Sequence, residues 1–341
     1  MGRHLNNFNI TRLLAAYFVL LAHSYALLGV RPPTWIGLVP VGLGELGVLM
    51  FFAISGYLVT ASWSSDRNFI RFLQRRSLRI FPALIVCVAF MVLIVGPAFT
   101  RFELSEYLMH AQTGSFLLNA VLFIQYSLPG VFEENPHKYA VNGSLWSLPI
   151  EFMCYLLLAV CAILIRSRAV FPALTVLLAA TYTYVTSNKL GPILFYASDL
   201  QQLLKYGAVF FFAATLFAYN LKWLLKPWIA AALLVLWFFY SSSLLNLVMI
   251  PLIVLGFGLA PSPKPLNVFL KLDYSYGIYI YAFPVQQALV ATWPDIDIST
   301  YIAVTTIITV GLAAMSWYLI EKPCLALKPK SRGSIANHSG A

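Results

Sequence analysis

The sequence predicts an all-α integral membrane protein, a bundle of about ten transmembrane helices with both termini in the cytoplasm. Three observations predict it. Apolar residues make up 60% of the 341-residue chain and charged residues only 10%, against about 45–50% and about 25% in soluble domains. Mean hydropathy is +0.81. The apolar residues fall in continuous runs, long enough to cross a bilayer as helices of ~20 residues. They do not alternate with polar residues as the strands of a β-barrel do. This composition excludes a soluble enzyme and a disordered chain.

The first run, 13–29, is longer than the core of a signal peptide and lacks a small-residue cleavage site after it, so it reads as a retained span. Further runs follow at 44–62, 80–98, 145–165, 169–187, 203–220, 227–240, 243–260, 274–292 and 299–319. The pair 227–240 and 243–260 reads as two short helices or as one long kinked helix. Proline marks the joints, as in Arg31-Pro32-Pro33 and Pro261-Ser262-Pro263-Lys264-Pro265. A shorter apolar stretch at 115–128 is too short for a span and reads as interfacial or re-entrant. The chain thus divides into a cytoplasmic segment 1–8, a ten-span domain 9–325 and a tail 326–341. The tail's Ser/Gly/Asn-rich end is expected to be disordered.

Net charge is +10, from 22 Lys plus Arg against 12 Asp plus Glu. No Arg/Lys stripe interleaved with aromatics is present, so nucleic acid is not the expected partner. Cytoplasmic loops of membrane proteins concentrate Lys and Arg. With the N-terminus inside, the inner segments hold Arg3, Arg12, Arg67, Arg71, Arg75, Arg76, Arg79, Arg166, Arg168, Lys222, Lys226, Lys264, Lys271, Lys322, Lys328, Lys330 and Arg332. The outer segments hold Arg31, Arg101, Lys138, Lys189 and Lys205, a split of 17 to 5. An odd number of spans would spoil this bias in the second half of the chain. Cys87, Cys154 and Cys161 lie in apolar runs and Cys324 follows the last one; none forms a C-x-x-C pair. The five histidines show no metal-ligand spacing, so no protein-bound metal is expected.

Charged side chains inside hydrocarbon cost at least ~2.5–3.5 kcal/mol on insertion scales and mark function by default. Arg12 and His23 on the first run are 11 residues apart. At 100° per residue this is three turns plus about 20°, so they share a helix face ~16 Å apart. Taken singly, Arg12 could snorkel to headgroups and His23 could make an interhelical hydrogen bond; on one face they favour a site. On the second run Ser55-Gly56 is a close-packing point and Glu45 lies near the outer end. Ahead of the third run, Arg76 and Arg79 are three residues apart and point the same way on a helix. Arg is the preferred fork for phosphate, whereas Arg71 and Arg75 read as lipid-headgroup anchors. On the fourth run Ser144, Ser147, Glu151 and Tyr155 stack on one face. Glu151 needs a partner there, which is Arg12, His23 or a substrate hydroxyl.

Four blocks in order resemble the membrane acyltransferase-3 family. They are Arg12-Leu-Leu-Ala-Ala…His23; Gly47-Val…Phe51-Phe52…Ser55-Gly56-Tyr57-Leu58 with Arg76-x-x-Arg79-Ile-x-Pro82; Trp146-Ser147-Leu148-x-x-Glu151…Tyr155; and Ser275-Tyr276-Gly-Ile-Tyr279 closed by Glu321-Lys322-Pro323. Two positions depart from the pattern. Leu49 stands where the family often has an acidic residue, and Ala282 where it often has a histidine. Glu45 is the one residue placed to substitute for the first.

The resemblance implies transfer of an acyl group, acetyl by default, from acyl-CoA to a hydroxyl of a carbohydrate such as exopolysaccharide, O-antigen or a glycolipid. The setting it implies is a bacterial cytoplasmic membrane. No bound cofactor is expected; acyl-CoA is the donor substrate. The catalytic residues it points to are His23 as base, Glu151 orienting it or binding the acceptor, and Arg12 at the oxyanion or donor. Arg76 and Arg79 would clamp the donor's phosphates, with Glu45, Ser147 and Tyr155 as substrate contacts. A secondary transporter of a small polar solute is the other class that carries Arg, His and Glu within spans. Such transporters are usually built from repeats, and none is visible.

Overall fold

The computed structural model describes residues 7–191, 194–195, 198–262 and 273–329. Arg3, Lys264, Lys271, Lys330 and Arg332, and the expected disordered end of the tail, lie outside the described residues. Each apolar run of the sequence falls on a helix: α1 Phe8–Leu28, α2 Leu43–Ser65, α3 Phe69–Phe90, α4 Ser147–Ile165, α5 Val170–Ser187, α6 Leu200–Ala218, α7 Pro227–Phe239, α8 Ser243–Leu259, α9 Ser275–Thr292 and α10 Ile298–Ser316. Strand content is slight: Leu194–Phe195 pairs antiparallel with Ser198–Asp199. Among the described residues, seven helices are long and apolar enough to cross a membrane. They are α1, α2, α4, α5, α6, α3 extended to Phe99, and α10 extended to Ala326. The protein is a multi-pass all-α membrane protein.

Several boundaries differ from the sequence reading, each for a local reason. α1 begins at Phe8, before the first apolar run, because the Asn7 amide donates to Phe257 O and Ala260 O at the end of α8. Phe8 is itself buried, so the helix starts inside the bundle rather than in a free N-terminal segment. α3 begins at Phe69, where Asn68 Oδ1 accepts from the Arg71 amide at 2.9 Å. Arg71, Arg75, Arg76 and Arg79, which precede the third apolar run, are therefore on the same helix as that run. α7 and α8 are two short helices, the second capped by Ser242 accepting from the Leu245 amide. The stretch 115–128 contains only a short helix, Ala111–Phe116, and a 3₁₀ turn, Leu117–Val121, that packs on α3.

α2 is the centre of the bundle, with α1, α4, α6 and α8 against it. Two glycines allow this closeness. A Cβ on Gly47 would lie 2.4 Å from Ala15 O of α1, and one on Gly56 would lie 2.1 Å from Phe210 O of α6. Small residues at such crossings let backbones approach where no hydrophobic force drives helix association. α9 packs between α1 and α10. At the turn between α2 and α3, Asp66 accepts from Arg71 Nε at 2.8 Å, Arg71 Nη2 at 2.6 Å and Arg75 Nη1 at 2.8 Å. Hydrogen bonds from Arg71 and Arg75 hold its carboxyl well below the ordinary range.

The α2–α6 crossing yields a test. Gly56→Val must push the helices apart and is expected to destabilise the protein by about 1–3 kcal/mol, the usual cost of overpacking. Gly311→Ala, where nothing lies within 4 Å of the added Cβ, is expected to be neutral or stabilising. Thermal unfolding in detergent checks both; equal midpoints for the two variants would contradict the packing.

Candidate functional site

Six segments enclose a cavity of about 290 Å³. α1 contributes Arg12, α2 Ser55, α3 Arg76 and Arg79, and α4 Ser147, Glu151 and Tyr155. Asp273, Tyr276 and Tyr279 come from the start of α9, and Lys328 from the segment after the last helical turn. Helical spacing explains the convergence. Residues 147, 151 and 155 lie on one face of α4, and 76 and 79 on one face of α3. Arg75 and Arg71, one and two turns before Arg79 on α3, are instead taken up by Asp66.

Glu151 is embedded in hydroxyls. Ser55 Oγ and Tyr155 Oη both donate to its Oε1, each at 2.5 Å. Ser55 and Gly56 therefore share one task. The serine holds the carboxylate while the glycine lets α6 close on the other side. Ser147 also lines the cavity, but its hydroxyl is engaged: Tyr279 Oη donates to Ser144 O at 2.8 Å, so Ser147 Oγ donates to Tyr279 Oη at 2.6 Å.

The two arginines of the R-x-x-R motif are not equivalent. Arg79 pairs with Asp273 at 2.8 Å and lies 3.8 Å from Glu321, with Tyr276 beneath its guanidinium at 5.9 Å. Glu321 is buried and accepts from Ser316 Oγ at 3.1 Å. Arg76 has no ion pair among the described residues; its guanidinium lies 6.0 Å from the Tyr155 ring and its Nε is buried and unbonded. Arg12 likewise has no ion pair there, so it is not, of the alternatives the sequence leaves open, the partner of Glu151. Burial alone would raise Asp273, but the charges of Arg79 and Arg12 and the Ser275 hydroxyl outweigh it and hold its carboxyl low. Half-buried Lys328 is pushed down to about 8 by burial and by the nearby Arg76 and Arg79.

His23 and Glu45 do not line this cavity. His23 lies three turns along α1 from Arg12, with its ring edge-on to Phe283 at 5.1 Å and its Nδ1 buried and unbonded. Glu151 is thus not its hydrogen-bond partner. Glu45 forms an ion pair with Lys205 of α6. It does not stand in for an acid at Leu49, which is fully buried in the apolar core. Ala282 is equally buried, against Ala16 and Leu20 of α1.

Three residues were missed in the sequence. Asp273 precedes its helix and carries no periodic signal. Lys328 was counted only toward topology. His137 sits in the loop before α4, yet its ring approaches Phe283 at 6.0 Å, and the ring of His23 approaches the same phenylalanine. Gln287 fixes that loop, accepting from Asn135 at 2.8 Å and donating to His137 O at 2.8 Å and Ala140 O at 2.7 Å. Only the Gly-free polar density of 134–142 could have signalled it.

Known proteins place the chain. The acyltransferase domain family matches residues 5–321. An O-acetyl transferase of Shigella phage Sf6 is 31% identical over 328 residues, covering 93% of this chain and 95% of the relative. Nodulation protein 10 of Rhizobium leguminosarum bv. viciae is 29% identical over 366 residues, covering 95% and 94%. No solved structure matches. A match over nearly the whole length shows that the chain belongs to the acyltransferase-3 family of membrane acyltransferases.

Proposed function

We propose that the protein is an O-acetyltransferase that moves acetyl from acetyl-CoA to a sugar hydroxyl of an exopolysaccharide, O-antigen or glycolipid. We place it in a bacterial cytoplasmic membrane as a ten-span protein with both termini inside. The observation that carries the donor assignment is the charge of the cavity. Arg12, Arg76, Arg79 and Lys328 face Glu151 and Asp273, an excess of two cations over carboxylates. Cations without partners in an apolar bundle are costly, and a phosphate-bearing ligand relieves that cost through charge-assisted hydrogen bonds. A transporter would account for the charges as well, but family membership favours acyl transfer. The span count is supported by the apolar α7 and α8 and by α9, which packs between α1 and α10.

In this reading Arg76 and Lys328 bind the donor phosphates, while Arg79 is held by Asp273 and Glu321 to shape the clamp. His23, ~16 Å further along α1, takes the proton of the acceptor hydroxyl. The alkoxide-like oxygen attacks the thioester carbonyl, the C–S bond breaks, and the leaving thiolate takes the proton from the imidazolium. The long pantetheine arm of the donor covers the separation between clamp and base. Glu151, with Ser55 and Tyr155, and Arg12 hold the donor or the acceptor between them. Ser147 acts through Tyr279, and Glu45 is assigned no substrate contact.

Three expected outcomes test this. His23→Ala should lower transfer of radiolabelled acetyl to membrane glycans by about 10²–10⁴ with unchanged melting; near-normal turnover would remove it as base. Arg76→Ala should raise the KM for acetyl-CoA about ten- to a hundredfold with little change in melting. Arg79→Ala should instead destabilise by about 3–5 kcal/mol, because it leaves Asp273 and Glu321 unpaired. The reverse pattern would refute the asymmetry. Lys328 is cationic below about 8 and neutral above it. Affinity for acetyl-CoA should therefore fall as pH rises through that value, and Lys328→Arg should abolish the fall. Arg76, Arg79, Arg12 and Asp273 are the charged groups around it.

Glu151→Gln keeps the shape and the hydrogen bonds from Ser55 and Tyr155. It should fold and melt normally yet lose most activity if the carboxylate serves chemistry. Wild-type activity in that variant would take Glu151 out of the site.

A further inference from the structure

A second cavity, of about 270 Å³, lies where the C-terminal ends of α2, α4 and α6 meet the start of α5. It shares no lining residue with the first. Its charged residues are Arg67, Arg166 and Arg168, and its walls include the buried rings of Trp63 and Phe171. No carboxylate lines it, and none of the three arginines has an ion pair among the described residues. The nearest acid in sequence, Asp66, is already held by Arg71 and Arg75. Positive charge at a membrane-facing loop is ordinary, but here three arginines from two distant segments converge on one cavity with a rigid aromatic wall. Arg166 does so with a left-handed backbone, φ 53, a conformation unfavourable for most side chains. The N-terminal end of the 18-residue α5 adds partial positive charge to the same place.

We propose that this cavity binds the phosphate headgroup of an anionic phospholipid. Basic pockets between transmembrane helices are suited to such headgroups, and Arg matches phosphate as a fork. What favours a lipid over a free phosphate is the surface that leads away from the arginines. Leu164 and Ile165, directly before Arg166, are 75% and 56% exposed, and Val176 and Leu177 on α5 are 67% and 59% exposed. A headgroup in the cavity leaves its acyl chains alongside these residues. The site ties four helix ends together, so its occupancy stabilises the folded bundle by mass action.

The test uses the full-length protein in a neutral detergent. Its unfolding temperature is measured with short-chain phosphatidylglycerol, short-chain phosphatidylcholine or inorganic phosphate at matched concentrations. Native mass spectrometry counts retained lipid. The wild type should be stabilised by phosphatidylglycerol and by neither of the others. The triple variant Arg67→Gln, Arg166→Gln, Arg168→Gln should bind phosphatidylglycerol at least about tenfold more weakly, whereas the triple Lys variant retains it. Acyl transfer in lipid-free detergent should be unchanged in both. Equal stabilisation by phosphatidylcholine, or undiminished phosphatidylglycerol binding in the Gln variant, would overturn the proposal. An equal effect of inorganic phosphate would make the site one for a soluble anion and overturn the lipid assignment. If the Gln triple fails to fold, Arg67→Gln and Arg168→Gln singly decide the same question.

Discussion

Everything in the cavity depends on keeping guanidinium groups inside an apolar bundle. An unpaired charge there costs several kcal/mol or more, and the structure answers differently for each arginine. Arg79 receives two carboxylates and an aromatic face. Arg76 receives the Tyr155 ring and no carboxylate among the described residues. Arg12 is without an ion pair among the described residues and shares the field of Asp273 with Arg79. Full neutralisation would have made an inert ionic core. Partial neutralisation leaves a preformed positive site whose geometry is fixed by the paired member. Asp273 and Glu321 come from the beginning of α9 and the end of the last long helix, so fixing Arg79 also fixes how that end of the bundle closes.

The same closure needs thin helix crossings. Gly47 and Gly56 bring α1 and α6 onto α2, and Ser55, beside Gly56, reaches the Glu151 carboxylate of α4 at 2.5 Å. A hydrogen bond that short between helices tolerates little displacement. This is why a Ser-Gly pair that reads as helix packing alone also belongs to the site.

Much of this was legible in the sequence, for physical reasons. Apolar runs are a strong signal in a membrane protein, since the bilayer enforces them. The α4 face of Ser147, Glu151 and Tyr155 and the shared direction of Arg76 and Arg79 on α3 follow from helical spacing. Three-dimensional pairing does not. Nothing in the chain announces that Glu45 is taken by Lys205 of α6, 160 positions away, or that Arg79 rather than Arg76 receives the acids. The helical start of α3 was hidden because its first turns are as polar as a loop. Asp273 and Lys328 flank helices and carry no period, so only the fold shows that they close the cavity.

His23 shares a helix face with Arg12 but not its surroundings. Helical phase correctly puts it on the Arg12 face, yet the same arithmetic puts it three turns away, beside Phe283 and His137 rather than beside Glu151. A face shared by two residues is not a site shared by two residues. If the histidine and the cationic cavity act on one reaction, they hold different parts of a long ligand: the charged end where the bundle carries excess positive charge, the reacting end where an imidazole nitrogen is buried without a partner. Such a division suits the chemistry. A general base works only while it can accept a proton, and four cations around it would oppose the positive charge it gains. Separation along α1 keeps the phosphate-binding field away from the nitrogen that must become an imidazolium.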